Sequence, residues 1–146
     1  MIIEVPYYSK TNDKKKIETI LNAALGSVDP VACVKNNINI RNQKINISEL
    51  EIDRCDYNKI FVIGIGKAVI PMAIGINDLL GHEIESGFLI SKTKNPALLT
   101  KLSEKYHVVC GDHPIPSKKS VDAAKGLVQF LKKTKKGDLV LSLIHI

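Results

Sequence analysis

Two short segments of this chain combine residue types that can do chemistry on an anion. The first is Lys59-Ile60-Phe61-Val62-Ile63-Gly64-Ile65-Gly66-Lys67-Ala68, a β-branched and aromatic run that opens onto two glycines and then a lysine. Glycine lets a backbone approach a ligand closely, because no Cβ stands in the way. The helical pattern that follows offers unpaired N–H groups and the positive end of a helix dipole, which suit phosphate or carboxylate. Lys67 adds a movable full charge. The second segment is Cys110-Gly111-Asp112-His113-Pro114-Ile115-Pro116-Ser117. Its prolines hold the backbone extended, so Asp112 and His113 are presented stiffly, as a loop that orients a hydroxyl or a phosphate would require. Each segment also has a plainer reading. Short βα loops commonly carry glycine, and a histidine in a rigid connector often only bonds a backbone carbonyl.

Two named phosphate motifs are excluded. A Walker A loop needs G-x-x-x-x-G-K-[ST], but Phe61 stands at its first glycine and Ala68 at its hydroxyl position. A dinucleotide fingerprint needs a small residue third in G-x-G-x-x-G/A, and Val69 occupies that place. No acidic residue clearly takes the ribose-binding role either, since Glu83 and Glu85 precede the second strand of the repeat rather than ending it.

The elements that must position these loops follow from periodicity. Ile17, Ile20, Leu21, Ala24, Leu25 and Val28 mark an amphipathic helix from Asn12 to Val28, capped by Thr11 or Asn12. Asp29-Pro30 interrupts it, and a short second helix follows through Val31 to Lys35. Isoleucines at 38, 40, 45 and 47 alternate around Asn42-Gln43, which predicts a hairpin. A β-then-α rhythm then sets in. Strands are expected at Ile60 to Ile63, Gly87 to Ile90, Tyr106 to Cys110 and from Leu139 onward. Helices are expected at Lys67 to Leu80, stopped by Gly81, at Ala97 to Lys105, and at Lys118 to Lys133 with Val121, Ala124, Leu127, Val128 and Leu131 inward. Parallel strands need crossovers of this length, so the fold class is α/β, a mostly parallel, Rossmann-like sheet with helices on both faces. Both chemical loops fall at the carboxyl ends of strands, where such sheets bind their ligands.

Composition narrows the function classes. At 146 residues the chain has the length of one domain, 1–146, with a sizeable core. It is 45% hydrophobic and 25% charged, ordinary values for a globular protein, and no apolar run has membrane-spanning length. Met1 to Lys10 shows no signal-peptide pattern, so a cytoplasmic location is expected. Cys33, Cys55 and Cys110 form no C-x-x-C pair, which argues against a zinc site and for buried, reduced thiols. No metal-ligand cluster is expected. The net charge of +6 comes from local lysine runs, and with only 5% aromatic residues there is no stacking platform, so neither nucleic acid nor membrane is expected as a partner.

Several segments, taken in order, resemble the glycerate 2-kinase family that carries the MOFRL domain, a family also known under the name hydroxypyruvate reductase. They are Ala24-Leu25-Gly26-Ser27-Val28-Asp29-Pro30, Val62-Ile63-Gly64-Ile65-Gly66-Lys67-Ala68 with Met72-Ala73, Gly111-Asp112-His113-Pro114-Ile115-Pro116, and Asp138-Leu139-Val140-Leu141. The resemblance runs from about Lys15 to Leu141. It implies phosphorylation of D-glycerate on its 2-hydroxyl with ATP and Mg2+, and it implies glycerate and nucleotide as partners, with a homodimer left open. Lys67 matches the lysine that the family uses in catalysis. Gly64 and Gly66 would let substrate oxygens approach the backbone, and Asp112 and His113 would stand near the same cleft.

The chain departs from the family pattern at three places. Ser117 replaces the aspartate of His-Pro-x-Pro-Asp, and Lys94-Asn95 replaces a Gly-His pair. Where the family continues its last strand into Ser-Gly-Gly-Gly-Ser, this chain reads Leu141-Ser142-Leu143-Ile144-His145-Ile146. That hexapeptide is also the translation of CTG TCT CTT ATA CAC ATC, a transposon end used in sequencing adapters. Residues 141–146 are therefore expected to be largely foreign, and the sheet incomplete at its C-terminal edge. The family's active site lies between this region and a C-terminal domain, so the chain is expected to be an N-terminal fragment without kinase activity. Two other functions fit the residues less well: hydroxypyruvate reduction with NAD(P)H, and a non-catalytic module binding sugar acids or phosphates.

Overall fold

The computed structural model describes residues 12–144. The expected leaderless segment Met1 to Lys10 and the cap Thr11 lie outside the described residues. Helix α1 (Asn12–Ser27) leads through Asp29 into α2 (Pro30–Asn37). Asp29 caps α2 by accepting a bond from Ala32 N–H at 2.9 Å, and Pro30 sits where its missing donor costs nothing. The stripe on α1 does form a helix, but it does not build core: Ile20 is 67% exposed, and Ile17, Leu21 and Val28 are exposed as well.

An antiparallel meander follows: β1 (Ile38–Arg41), β2 (Lys44–Ile47) and β3 (Leu50–Asp53). Asn42 and Gln43 both have positive φ, as the tight turn between two right-twisted strands demands. The third strand was not expected. Its alternation is hidden by Glu49, Glu51 and Asp53, and only Ile52 of its residues is buried.

The main sheet is four-stranded and wholly parallel, in the order β6-β5-β4-β7. Its strands are β4 (Ile60–Ile65), β5 (Ile84–Ser91), β6 (Tyr106–Cys110) and β7 (Leu139–Ile144). The crossovers are α3 (Val69–Leu80), the single turn α4 (Pro96–Leu99) and α5 (Lys118–Leu131). On one face α2, α3 and the meander enclose Val34, Ile45, Ile60, Val62, Val69, Ile76, Leu80 and Leu89. On the other, α5 lays Ala123, Leu127 and Phe130 over Phe61, Phe88 and Ile90. The Phe61 and Phe130 rings meet edge-on at 5.9 Å. Central strands covered on both faces explain why β4 and β5 read as apolar runs rather than alternations. The expected α/β architecture is therefore present. Residues 141–144 continue β7 in register with β4, and Leu141 and Leu143 reach the core.

Four expectations need correction. Helix α3 begins at Val69 instead of Lys67, since Pro71 is tolerated only in a first turn. The helix expected over 97–105 is one turn, because polar Lys101, Ser103, Glu104 and Lys105 leave it no second apolar turn to bury. On α5 the buried stripe is Ala123-Leu127-Phe130, and Val121 and Val128 are more than half exposed. Both stripes have helical spacing, and the large Phe130 ring decides which one faces the sheet. Finally, Cys33 and Cys55 are exposed and Cys110 half-buried, all free. Val34 takes the α2 position against Gly75 of α3, which turns its neighbour Cys33 outward. Among the described residues, no single helix is long and apolar enough to cross a membrane.

Candidate functional site

A cavity of about 680 Å³ opens at the carboxyl ends of β4, β5 and β6. That size falls in the range of about 300–1,000 Å³ usual for small-ligand sites. Its floor is Ile65 and Ile90, its roof is Ser120 and Ala124 of α5, and its rim carries Lys67, Lys92, Asp112 and His113. The two expected loops therefore meet. The strand β5 between them makes this possible, since Gly66 N–H donates to Ile90 O at 3.0 Å and Gly111 N–H donates to Ser91 O at 2.9 Å.

Gly66 has φ +134°, a conformation that residues with a Cβ rarely adopt, and nothing lies within 4 Å of where a Cβ would stand. The chain thus turns sharply beside open space. Lys67 follows, exposed on the rim, and Ala68 forms the N-cap of α3 with no side-chain bond. The first bond at this end of α3 is Met72 N–H to Ala68 O (3.0 Å), so Val69 and Ile70 carry N–H groups without an intrahelical partner. Among the described residues, Lys67 and Lys92 have no ion-pair partner.

Gly64 is placed differently from expectation. It is buried and does not line the cavity; a Cβ there would stand 2.1 Å from Val69 Cγ2. Its missing side chain admits Val69, so the bulk of the side chain at 69 is offset by the absence of one at 64. Gly64 serves packing, and of the two only Gly66 lines the cavity.

Asp112 and His113 stand on the opposite rim, joined to Pro114 by a cis His113–Pro114 peptide. The Asp112 carboxylate accepts a hydrogen bond from the Ser117 hydroxyl, and Asp112 N–H donates to Ser120 Oγ at 3.0 Å. Ser117 also caps α5 by accepting from Lys119 N–H at 3.1 Å. The serine standing at the family's aspartate position thus ties the loop to the helix. Ser91, Lys92, Ser120 and Ala124 are site residues that the sequence reading missed. Lys92 had a usable signal, as the first residue beyond the carboxyl end of a parallel strand; the others had none.

The far end of the sheet is engaged elsewhere. Lys59, which opens the first segment, pairs with Glu85 at 2.6 Å, and this bond and charge raise its pKa. Glu83 pairs with Arg54, also at 2.6 Å. Neither carboxylate lines the cavity. Among the described residues, no three His, Cys, Asp or Glu gather as a metal-ligand set.

A parallel sheet wound on both faces, with lysines, a left-handed glycine turn and an uncapped helix start at its carboxyl edge, defines an α/β domain suited to a small anion. Residues 16–145 match the family described as a domain of unknown function, DUF4147, and the chain belongs to that family. It is 31% identical over 127 residues to a glycerate 2-kinase of Pyrococcus horikoshii, covering 86% of this chain and 27% of that protein. It is 28% identical over 134 residues to a glycerate 2-kinase of Picrophilus torridus, covering 92% and 29%. The fold is similar to that of a Pyrococcus horikoshii OT3 crystal structure, with TM-score 0.71 and 26% identity, over 92% of this chain and 29% of that one. A Thermotoga maritima glycerate kinase structure shares the fold at TM-score 0.64 and 18% identity, over 90% and 28%. The resemblance to the glycerate 2-kinase family is therefore borne out, and the chain spans under a third of the length of these relatives.

Proposed function

We propose that this chain supplies the anion-gripping part of a kinase that phosphorylates D-glycerate on its 2-hydroxyl. The observation that carries the reading is the convergence, around one cavity, of Lys67, Lys92 and the Asp112-His113 pair from three successive strand ends. Phosphoryl transfer is mostly positioning and neutralisation of charge on the moving group. Lys67 is the catalytic cation: it stands at the start of α3, where the free N–H groups of Val69 and Ile70 add a field of the same sign. The open turn at Gly66 leaves room for an oxygen beside it. Asp112, held by Ser117, orients the glycerate hydroxyl, and the His113 imidazole accepts its proton as it attacks.

ATP, bound as its Mg2+ complex, would supply the phosphoryl group and leave as ADP, with Mg2+ neutralising the phosphate charge. The residues present fit an anion better than a protein-held cation, because Asp112 is the cavity's one carboxylate among the described residues. Mg2+ commonly binds through one or two carboxylates and the phosphates themselves, which a single Asp112 allows. The chain alone is proposed to bind substrate without turning it over, since most of the length of its kinase relatives has no counterpart here.

The test is an amide NMR titration of the chain with D-glycerate, alongside an ATP turnover assay with Mg2+. Shifts confined to Gly66, Lys67, Lys92 and Gly111 to His113, abolished in the Lys67→Met, Lys92→Met double variant, are expected, with no phosphoglycerate formed. Shifts elsewhere, or none at millimolar glycerate, would refute the site, and turnover would refute the inactivity.

A further inference from the structure

We propose that Lys92 is the specificity residue for the carboxylate of the ligand, and that the cavity is a two-headed anion site in which Lys67 takes the phosphoryl end. The inference rests on the glycerate reading above and assigns its two lysines separate tasks.

Three observations carry it. First, the paired register of β4 and β5 ends at Ile65 opposite Ile90, and Lys67 and Lys92 are each the second residue beyond that pair. Adjacent strands lie about 4.8 Å apart, and from these neighbouring strand ends both lysines line the same cavity. Like charges so placed repel, and neither has an acidic partner among the described residues. An anion bridging them removes that repulsion.

Second, the faces agree. Phe88 and Ile90 pack on the α5 side, while Leu89 packs on the α3 side. Continuing the alternation sends Lys92 to the α5 side, where the cavity lies between Ile90 and Ala124. Third, the surroundings of the lysines differ. Lys67 precedes the uncapped start of α3, whose free N–H groups favour the more highly charged head. On the Lys92 side the start of α5 is already capped by Ser117 and Ser120; Lys92 follows Ser91 at the middle strand end, between the turns bearing Gly66 and Gly111. A singly charged carboxylate suits it, and the hydroxyl between the two heads then faces Asp112 and His113.

Binding of three probes to the wild-type chain and two variants tests this by calorimetry. D-glycerate carries only the carboxylate, inorganic phosphate only the other head, and 2-phosphoglycerate both. A lost charge-assisted hydrogen bond costs on the order of tenfold in affinity. Lys92→Met is expected to weaken glycerate about tenfold while leaving phosphate within about twofold, and Lys67→Met to do the reverse. Both variants should weaken 2-phosphoglycerate. Lys92→Arg should recover most glycerate affinity, which a merely structural role would not require. Equal glycerate affinity in wild type and Lys92→Met, or loss of phosphate in place of glycerate, overturns the assignment while the glycerate reading stands. No glycerate binding by the wild type overturns both.

Discussion

Gly64→Ala separates packing from ligand contact at the first segment. The added Cβ would lie 2.1 Å from Val69 Cγ2, 3.1 Å from Leu89 Cδ2 and 3.3 Å from Leu143 O. The first distance is impossible without movement, and Val69 is 1% exposed inside a core with nowhere to go. Overpacking of this kind costs about 1–3 kcal/mol, and the three-sided contact places Gly64→Ala at the upper end. Val69→Ala alone leaves a void and costs about 2 kcal/mol. In the double variant the new methyl enters the space that Val69 vacates, so the two losses do not add. The expected total is about 2–3 kcal/mol against a sum near 5, a favourable coupling of about 2 kcal/mol. Urea unfolding followed by far-ultraviolet circular dichroism measures all four proteins, as the chain has no tryptophan. Glycerate-induced shifts should persist in the folded double variant, because residue 64 does not line the cavity. Additive losses would refute the packing account, and loss of binding in a stable double variant would restore Gly64 to the site.

Two further perturbations test the surroundings. Tyr106 is buried with its hydroxyl unpartnered among the described residues, and burial pushes its phenol pKa far above the ordinary value. Tyr106→Phe should therefore be neutral or stabilising by about 1 kcal/mol, and a loss above about 1 kcal/mol would show that the hydroxyl is satisfied. The unfolded chain ionises this phenol near pH 10 while the fold keeps it protonated, so its contribution is complete below about pH 10 and falls as pH rises. The wild-type minus Tyr106→Phe stability should decline above about pH 10, by up to about 1.4 kcal/mol per unit; a flat difference refutes the burial. Ser117→Ala removes both the α5 cap and the hydrogen bond to Asp112. It should cost about 1 kcal/mol and broaden the Asp112 and His113 amide signals, and unchanged signals would show the loop is held by Ser120 alone.

Much of this protein was legible in its residues. The apolar runs of β4 and β5, the strand Tyr106–Cys110 and the spacing between them specify parallel crossovers, because periodicity and crossover length are local properties. Lys67, Asp112 and His113 could be nominated for the same reason, as they lie at strand ends whatever the sheet order. Tertiary structure decided what local pattern leaves degenerate. Two stripes on α5 share helical spacing, and the Phe130 contacts with Phe61 and Phe88 select one. The α1 stripe has helical period yet, among the described residues, Ile17, Ile20 and Leu21 stay exposed, since periodicity states that a face is apolar and not what covers it. Gly64 and Gly66 look alike in sequence, but one lies under Val69 and the other turns into open space. Lys92 joined the site only when β5 proved to be the strand that ties both loops, a neighbour relation set by hydrogen bonds between residues distant along the chain.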